Sequence, residues 1–449
     1  MMIRINKMVS LFTALLLSSA AMVAAATLDE CIATALQQNP DAQSASRRVA
    51  AAKAGIQEAQ SGFYPQLTLS GAYTRSDNPP QAFFMSMNQR SANMQTDINN
   101  PDDTENLRLS AGAKMRLLDG GQRSLGIQAA RLGTEATRQS LEAVQNDLIY
   151  QVTRGFYGVL QARRFVQVLE ETVSSLNESL RVANERFKAG STVQTDVLSL
   201  EVKLAEAQDD LIRAKNGLLL AIAALNTAIG EDLVSNESIA DIAPESLTAP
   251  VKADADDSLS DRPEMRAAHF NTEIKEKMWK ISSREKFPVL SAFGSVDWDS
   301  DVSSDFQNSY FAGAMAEWDI FTGFRKNASA AKARAEYEAA KADEESARQK
   351  LGLDLKQALI KTGEAWDRMD VTRKSLESAE EALRITQEQY RQGAADITIL
   401  LNSQVGLTAV RTRHIAAQYD YLTAQANLKR ARGQLTKQFV KSTNTGEGE

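Results

Sequence analysis

The feature that most constrains this chain is that it repeats itself: "RFKAGSTVQTDVLSLE", Arg186 to Glu201, returns as "QYRQGAADITILLNSQ", Gln389 to Gln404. Gly190 matches Gly393, and Leu118 in "MRLLDGGQR" matches Phe321 in "WDIFTGFRK", both 203 positions apart. Pro40 in "QNPDAQ" matches Pro263 in "DRPEMR", and Pro65 in "FYPQLTLSG" matches Pro288 in "KFPVLSAFG", both 223 apart. Two constant offsets describe one duplication with about 20 extra residues in its first copy. The extra length falls in "SDNPPQAFFMSMNQRSANMQTDINNPDDTEN", which reads as a surface loop.

Each copy reads helix, strand, loop, strand, long helix, tip, long helix. Val166, Leu169, Val173, Leu176, Leu180, Ala183 and Phe187 step by three and four, as do Val197, Leu200, Leu204, Ala207, Leu211, Ala214 and Leu218 after the tip. That alternation is a coiled-coil seam, and the short tip makes the two helices antiparallel. In the second copy Met369, Leu376, Ala379, Leu383 and Tyr390 keep the seam, with Thr372 and Thr386 as polar intrusions, so the second hairpin is expected to be looser and to be the moving element. No proline interrupts Gln122 to Lys188, which permits a rod of about 100 Å.

The strands are two-faced. Leu107, Leu109, Ala111, Ala113, Met115 and Leu117 alternate with Arg108, Ser110, Lys114 and Arg116. The matching oily sets are Leu67, Leu69, Gly71 and Tyr73; Leu290, Ala292, Gly294 and Val296; and Tyr310, Ala312, Ala314, Ala316 and Trp318. Such strands fit either a half-buried sheet of a soluble domain or a tilted span of a bilayer, with Tyr73, Trp298, Tyr310 and Trp318 at its interfaces. Open sheet edges are not tolerated in lipid, so the second case requires several chains to share one barrel: two would leave a filled lumen, three a passage.

The first residues, with Arg4 and Lys7 before an apolar run from Leu11 to Leu17 and small residues at Ala24 to Ala26, have the layout of a secretory signal peptide over 1–26. The net charge of −7 becomes −9 once Arg4 and Lys7 leave, which disfavours a nucleic-acid partner. The expected layout is a first repeat over 27–230, with strands about 65–77 and 105–118 and a hairpin over 122–230. A linker over 231–260 follows, then a second repeat over 261–436 with strands about 288–298 and 309–321 and a hairpin over 325–436. Residues 437–449 form a tail expected to be disordered.

Catalytic and metal chemistry have little to stand on. Cys31 is the only cysteine and is expected to pack in a short helix, and His269 and His414 are far apart and expected on helix surfaces or seams. Asp209 and Asp210 are consecutive on a helix, so their side chains diverge. We expect neither an enzyme nor a cofactor.

Taken in order and twice over, "NP" at Asn39 and Pro40, "FYPQL" and "KFPVL" leading into strands, "LLDGGQR" and "IFTGFRK" leaving them, and the two tips resemble the TolC-like outer membrane efflux channel family across the mature chain. The resemblance implies a mostly α fold with a membrane β-barrel: a homotrimer whose four strands per chain share a twelve-stranded barrel in outer membrane lipid, with a helical tunnel in the periplasm. It implies a channel that is the exit duct of a tripartite efflux or type I secretion system, meeting a periplasmic adaptor (membrane fusion protein) and an inner-membrane pump. The family's adaptor contacts carry over to Phe187, Gly190, Thr195, Asp196 and Val197, and to Tyr390, Gly393 and Thr398. Some members carry two aspartates at the pore entrance, where this chain has Ile399 and Asn402; Asp196 and Asp396 lie near the same end and are either a cation-attracting mouth or helix caps. Barrel-lumen residues are expected at Arg108, Lys114, Arg116, Asp297, Glu317 and Asp319. The alternative from another class is a periplasmic adaptor or coiled-coil scaffold, which would carry one hairpin flanked by compact β domains.

Overall fold

The computed structural model describes residues 26–93, 97–232, 234, 235, 239, 240, 249, 259–301 and 305–436. The expected signal up to Ala25, most of the linker and the tail lie outside the described residues. The elements in order are α1 (Leu28–Gln38), α2 (Pro40–Ser61), β1 (Gln66–Ser76), α3 (Pro79–Asn88), β2 (Thr104–Leu118), α4 (Gln122–Lys188) and α5 (Gln194–Ile229). The second copy supplies α6 (Pro263–Arg284), β3 (Val289–Ser300), β4 (Gln307–Glu317), α7 (Arg325–Arg391) and α8 (Ile397–Ala431). The chain is mostly helical, and α4 and α7 are equally long at 67 residues each. Among the described residues no helix is long and apolar enough to cross a membrane, which says nothing of a β-barrel.

One compact unit contains 26–47, 139–266 and the chain from 347 onward. Its core joins Val152, Phe156 and Leu160 of α4 to Leu225 and Ile229 of α5, with Cys31, Ile32 and Ala35 of α1 packed against them. Each of the Val, Ile, Leu and Phe side chains, removed from water, stabilises the fold by about 1.5–3 kcal/mol. Thr27 caps α1 in a reciprocal capping box with Glu30. Ala26, assigned above to the signal, is buried and pairs in parallel with Ile239.

The "NP" mark has a mechanical explanation in this unit. Asn39 Oδ1 accepts the Asp41 N–H at 2.8 Å, opening α2, and its amide donates to the Ala228 carbonyl at 2.9 Å. Gly230 ends α5 at φ 88°, and a Cβ there would sit 2.9 Å from the Asn39 Cα, so only glycine fits. Arg262 and Gly433 hold the corresponding places in the second copy, with Gly433 at φ 66° against Arg262 and Pro263.

The other unit contains 48–138 and 267–346. Its four antiparallel strands pair in the order β1-β2-β3-β4. Helix α4 starts where Asp119, at the end of "LLDGGQR", accepts the Gly121 N–H at 3.0 Å and ion-pairs with Arg123 at 2.7 Å. Arg123 also donates to the Gly62 and Leu117 carbonyls, clamping both strand ends. The second copy uses Lys326 to the Asp319 carbonyl at 2.9 Å, and Phe324 takes a left-handed φ of 65° where its counterpart Gly121 takes 79°.

Three expectations are corrected. The 78–104 stretch is not a bare loop: Asn78 caps α3 and Pro79 and Pro80 occupy its first turn, where a missing N–H is harmless. The last strand stops at Glu317 instead of reaching 321, because Trp318 to Phe324 turn the chain into α7. The alternation in β2 is broken by a bulge between Arg116 and Leu118, so Leu118, not Leu117, faces Leu290.

Candidate functional site

The two tips have the same bonds 203 positions apart. Ser191 N–H reaches the Arg186 carbonyl at 2.8 Å, and Ala394 N–H reaches that of Gln389 at 2.8 Å, while Gly190 and Gly393 take φ 69° and 78°. This is the Schellman ending, which leaves the next residue free to start a returning helix. The caps differ: Val193 opens α5 with no side-chain bond, whereas its counterpart Asp396 accepts the Thr398 N–H at 2.7 Å. That bond holds the exposed Asp396 carboxyl below its usual range. Asp196 is half-buried and accepts the Thr192 hydroxyl.

Of the tip residues named from the sequence, Phe187, Gly190, Thr195, Gly393, Thr398, Ile399 and Asn402 are exposed. Val197 and Tyr390 are turned inward, packed with Leu200, Ile397 and Leu400 in one core that joins the two hairpins. Arg186 closes that junction: its guanidinium lies 5.0 Å over the Tyr390 ring and donates to the Tyr390 carbonyl at 2.8 Å and to that of Arg391.

All seam positions named above are buried or half-buried except Phe187 at the tip. The polar intrusions of the second hairpin are bridged, Thr386 to Ser403 at 3.3 Å and Thr372 to His414 Nδ1 at 3.1 Å. Burial, with Arg373 adding to it, holds the His414 imidazole below its usual value of 6.5. A lowered folded value means that the unfolded chain binds the proton more readily, so stability is present above that usual value and falls away as the pH drops below it. Acidification from about 7.5 to about 5.5 is therefore expected to lower the protection factors of the amides along α7 and α8, the exchange rates being divided by their intrinsic values at each pH, and His414→Gln to flatten the response.

The sequence reading missed a second stripe on the long helices. Leu198, Val202, Ala205, Asp209, Ile212, Asn216 and Leu219 also alternate by four and three along α5, and all are exposed. Of their counterparts on α8, Leu401, Thr408, Thr412, Ile415, Tyr419 and Leu422 are buried or half-buried with α4 beside them, and Val405 stays exposed. The bonds across this contact run from Thr172 to Thr408 at 3.0 Å and from Ser175 to Gln404 at 3.3 Å. On α4 the covering stripe is Val168, Thr172, Ser175, Ser179 and Val182; its counterpart on α7, Val371, Ser375, Ser378, Ala382 and Ile385, is exposed. One half of a repeated contact is thus made within the chain, and both surfaces of the other half lie bare.

The strand register sorts the sheet into two faces. Leu69, Ala111, Val296 and Tyr310 line up in one row, and Leu67, Ala113, Gly294 and Ala312 in the next. This oily face is open: Leu69 is 85% exposed and Tyr310 84%. The other face carries Arg108, Lys114, Arg116, Asp297 and Glu317, as expected from the alternation. Asp319 lies beyond the last strand but lines the same cavity of about 440 Å³ as Lys114, Arg116 and Glu317. At the far end of this face Asp299, 1% exposed, accepts from Arg108 at 2.8 Å and from Asn106 at 2.7 Å, and Gln89 after α3 donates to Asn106.

The family model described as Outer membrane efflux protein matches residues 31–231 and 255–434, and the chain belongs to that family. It is 22% identical over 459 residues to outer membrane protein TolC of Vibrio cholerae, covering 98% of each chain. It is 23% identical over 439 residues to outer membrane efflux protein BepC of Brucella suis, covering 94% of this chain and 90% of that one. The fold matches the Campylobacter jejuni CmeC outer membrane channel with a TM-score of 0.79 at 16% identity, over 92% of this chain and 88% of that one. The chain is an outer membrane exit duct of an export system, with its helices in the periplasm. The one-hairpin adaptor alternative does not fit two hairpins and a shared family model of this extent.

Proposed function

We propose that three copies of this chain close into one pore, in which twelve strands form a barrel in the outer membrane and the long helices form the duct beneath it. The observation that carries this is the bare half of the repeated helix contact. The exposed stripe of α5 and the exposed stripe of α7 are counterparts of surfaces that already fit each other within the chain, so a second copy is the occupant whose shape and spacing are known in advance. Because the two surfaces differ, the contact is head to tail, which makes a ring when the rotation from copy to copy closes. The four-stranded sheet has two free edges and an oily face, and ring closure pairs those edges and turns that face to lipid.

The channel has no enzymatic step to perform. Partner recognition belongs to the exposed tip residues Phe187, Thr195, Thr398, Ile399 and Asn402, where a periplasmic adaptor delivers cargo from an inner-membrane pump; Val197 and Tyr390 support the tips from inside. Asp396 acts first as a cap, leaving the half-buried Asp196 as the acid that biases the mouth toward cations. Detergent-extracted protein in a planar bilayer is expected to give discrete current steps, and Arg186→Ala to raise the open fraction by releasing the two hairpins from each other. Detergent-extracted protein that leaves the bilayer sealed would contradict the pore.

A further inference from the structure

The wet face of the sheet carries more than charge. Among the described residues its cations are unequally engaged. Arg108 is held by Asp299, and Arg123 and Lys326 at the strand ends are held by Asp119 and Asp319. Lys114 and Arg116 are exposed, lie two residues apart on the same face of β2, and have no hydrogen-bond or ion-pair partner. Across the ladder Lys114 faces Phe293, which faces Gly313, and Arg116 faces Ser291, which faces Met315. Gly313 leaves room for the Phe293 ring, whose edge sits 3.0 Å from where a Cβ would be, and Phe311 tilts against it with centroids 5.4 Å apart. Phe311 is 61% exposed and Met315 46%, on the same face as the charged Lys114 and Arg116.

We propose that this patch is a transit site for amphipathic organic anions that carry an aromatic ring. The inference rests on the shared-barrel reading, in which this face lines the passage. Neighbouring strands lie about 4.8 Å apart, so Lys114 stands one strand from the Phe293 ring and an anion on it places its ring over the Phe293 and Phe311 plate. Two like charges side by side repel, and an anionic group between them relieves that repulsion. Glu317, next to Met315 on the same face and itself unpaired, opposes tight capture. A channel needs that balance, since a site that conducts must release what it binds. Affinity in about the millimolar range is expected.

The test is single-channel recording of the full chain with 2-naphthalenesulfonate, methanesulfonate and 2-naphthylmethylammonium as probes. The naphthalenesulfonate is expected to block current reversibly, methanesulfonate and the naphthyl cation to block about tenfold more weakly. In Lys114→Gln/Arg116→Gln and in Phe311→Ala channels the naphthalenesulfonate block is expected to weaken by about tenfold, with unblocked current steps retained. Equal block by methanesulfonate, or block unchanged in both variants, overturns the site while leaving the pore intact. A wild-type protein without current overturns the shared barrel, and the site with it.

Discussion

Aspartate at both Ile212 and Leu219 is expected to leave the chain monomeric while its hairpins stay folded. Both side chains are bare in the single chain, 60% and 62% exposed, and neither belongs to the seam that holds α5 against α4. In the proposed ring they would face the α7 stripe of a neighbour. Burying an unpaired carboxylate there costs about 3–5 kcal/mol at each site, enough to dissolve an association contact. Light scattering of the detergent-extracted variant reads the mass, and far-UV circular dichroism checks that helix content is unchanged. The counterparts Ile415 and Leu422 on α8 give the contrast, since both pack against the chain's own core. Aspartate at those positions is expected to lower the unfolding midpoint of the protomer itself.

Loss of the Arg262 side chain is the second large effect. Arg262 is 1% exposed, donating to Asp354 at 2.9 Å and to Glu264 at 2.8 Å, and Arg430 reaches the other oxygen of Asp354 at 2.7 Å. Burial alone would raise the Asp354 carboxyl, but its bonds to Arg262 and Arg430 outweigh that and hold it below the usual range. Arg262→Ala leaves two acids short of a partner and a cavity against Gly433, at a cost of about 3 kcal/mol, read as a lower urea midpoint. Arg430 still neutralises part of Asp354, which keeps the loss below the upper end for a broken buried pair. Arg138→Ala, whose pair with Glu135 is exposed on both sides, is expected to lower the unfolding free energy by about 0.5 kcal/mol or less.

Much of this architecture was legible because duplication writes every constraint twice. Gly190 and Gly393 at equal offsets, and prolines opening α2 and α6, located the turns before any contact was known. Period two in β2 sorted the faces of a sheet whose neighbours lie almost two hundred residues away. What escaped had a physical reason in each case. Helix α3 is set by a cap and two prolines, a local signal hidden in a stretch judged by its length alone. The second stripe on α5 escaped because a seam explains a helix once, and a wet side containing Asp209 and Asn216 does not look like a contact surface. Tyr390 and Val197 lie at tips yet face inward, since the hairpins pack on each other and not only within themselves. The partners of Arg262 come from α6, α7 and, through Asp354, α8, a convergence that no spacing in one segment announces.

The central claim is that α5 of one copy meets α7 of the next as α8 meets α4 within the chain. Thr172 and Thr408, 3.0 Å apart, mark the internal contact, and Ser375 and Ala205 are their counterparts on the bare surfaces. Cys31 is buried and is the only native thiol, so Ala205→Cys with Ser375→Cys introduces a clean pair. Oxidised in the membrane and run on a denaturing gel, this variant is expected to give a closed covalent species of three chains, with either single variant remaining at one. Protein that stays a single chain after oxidation of the double variant would contradict the ring.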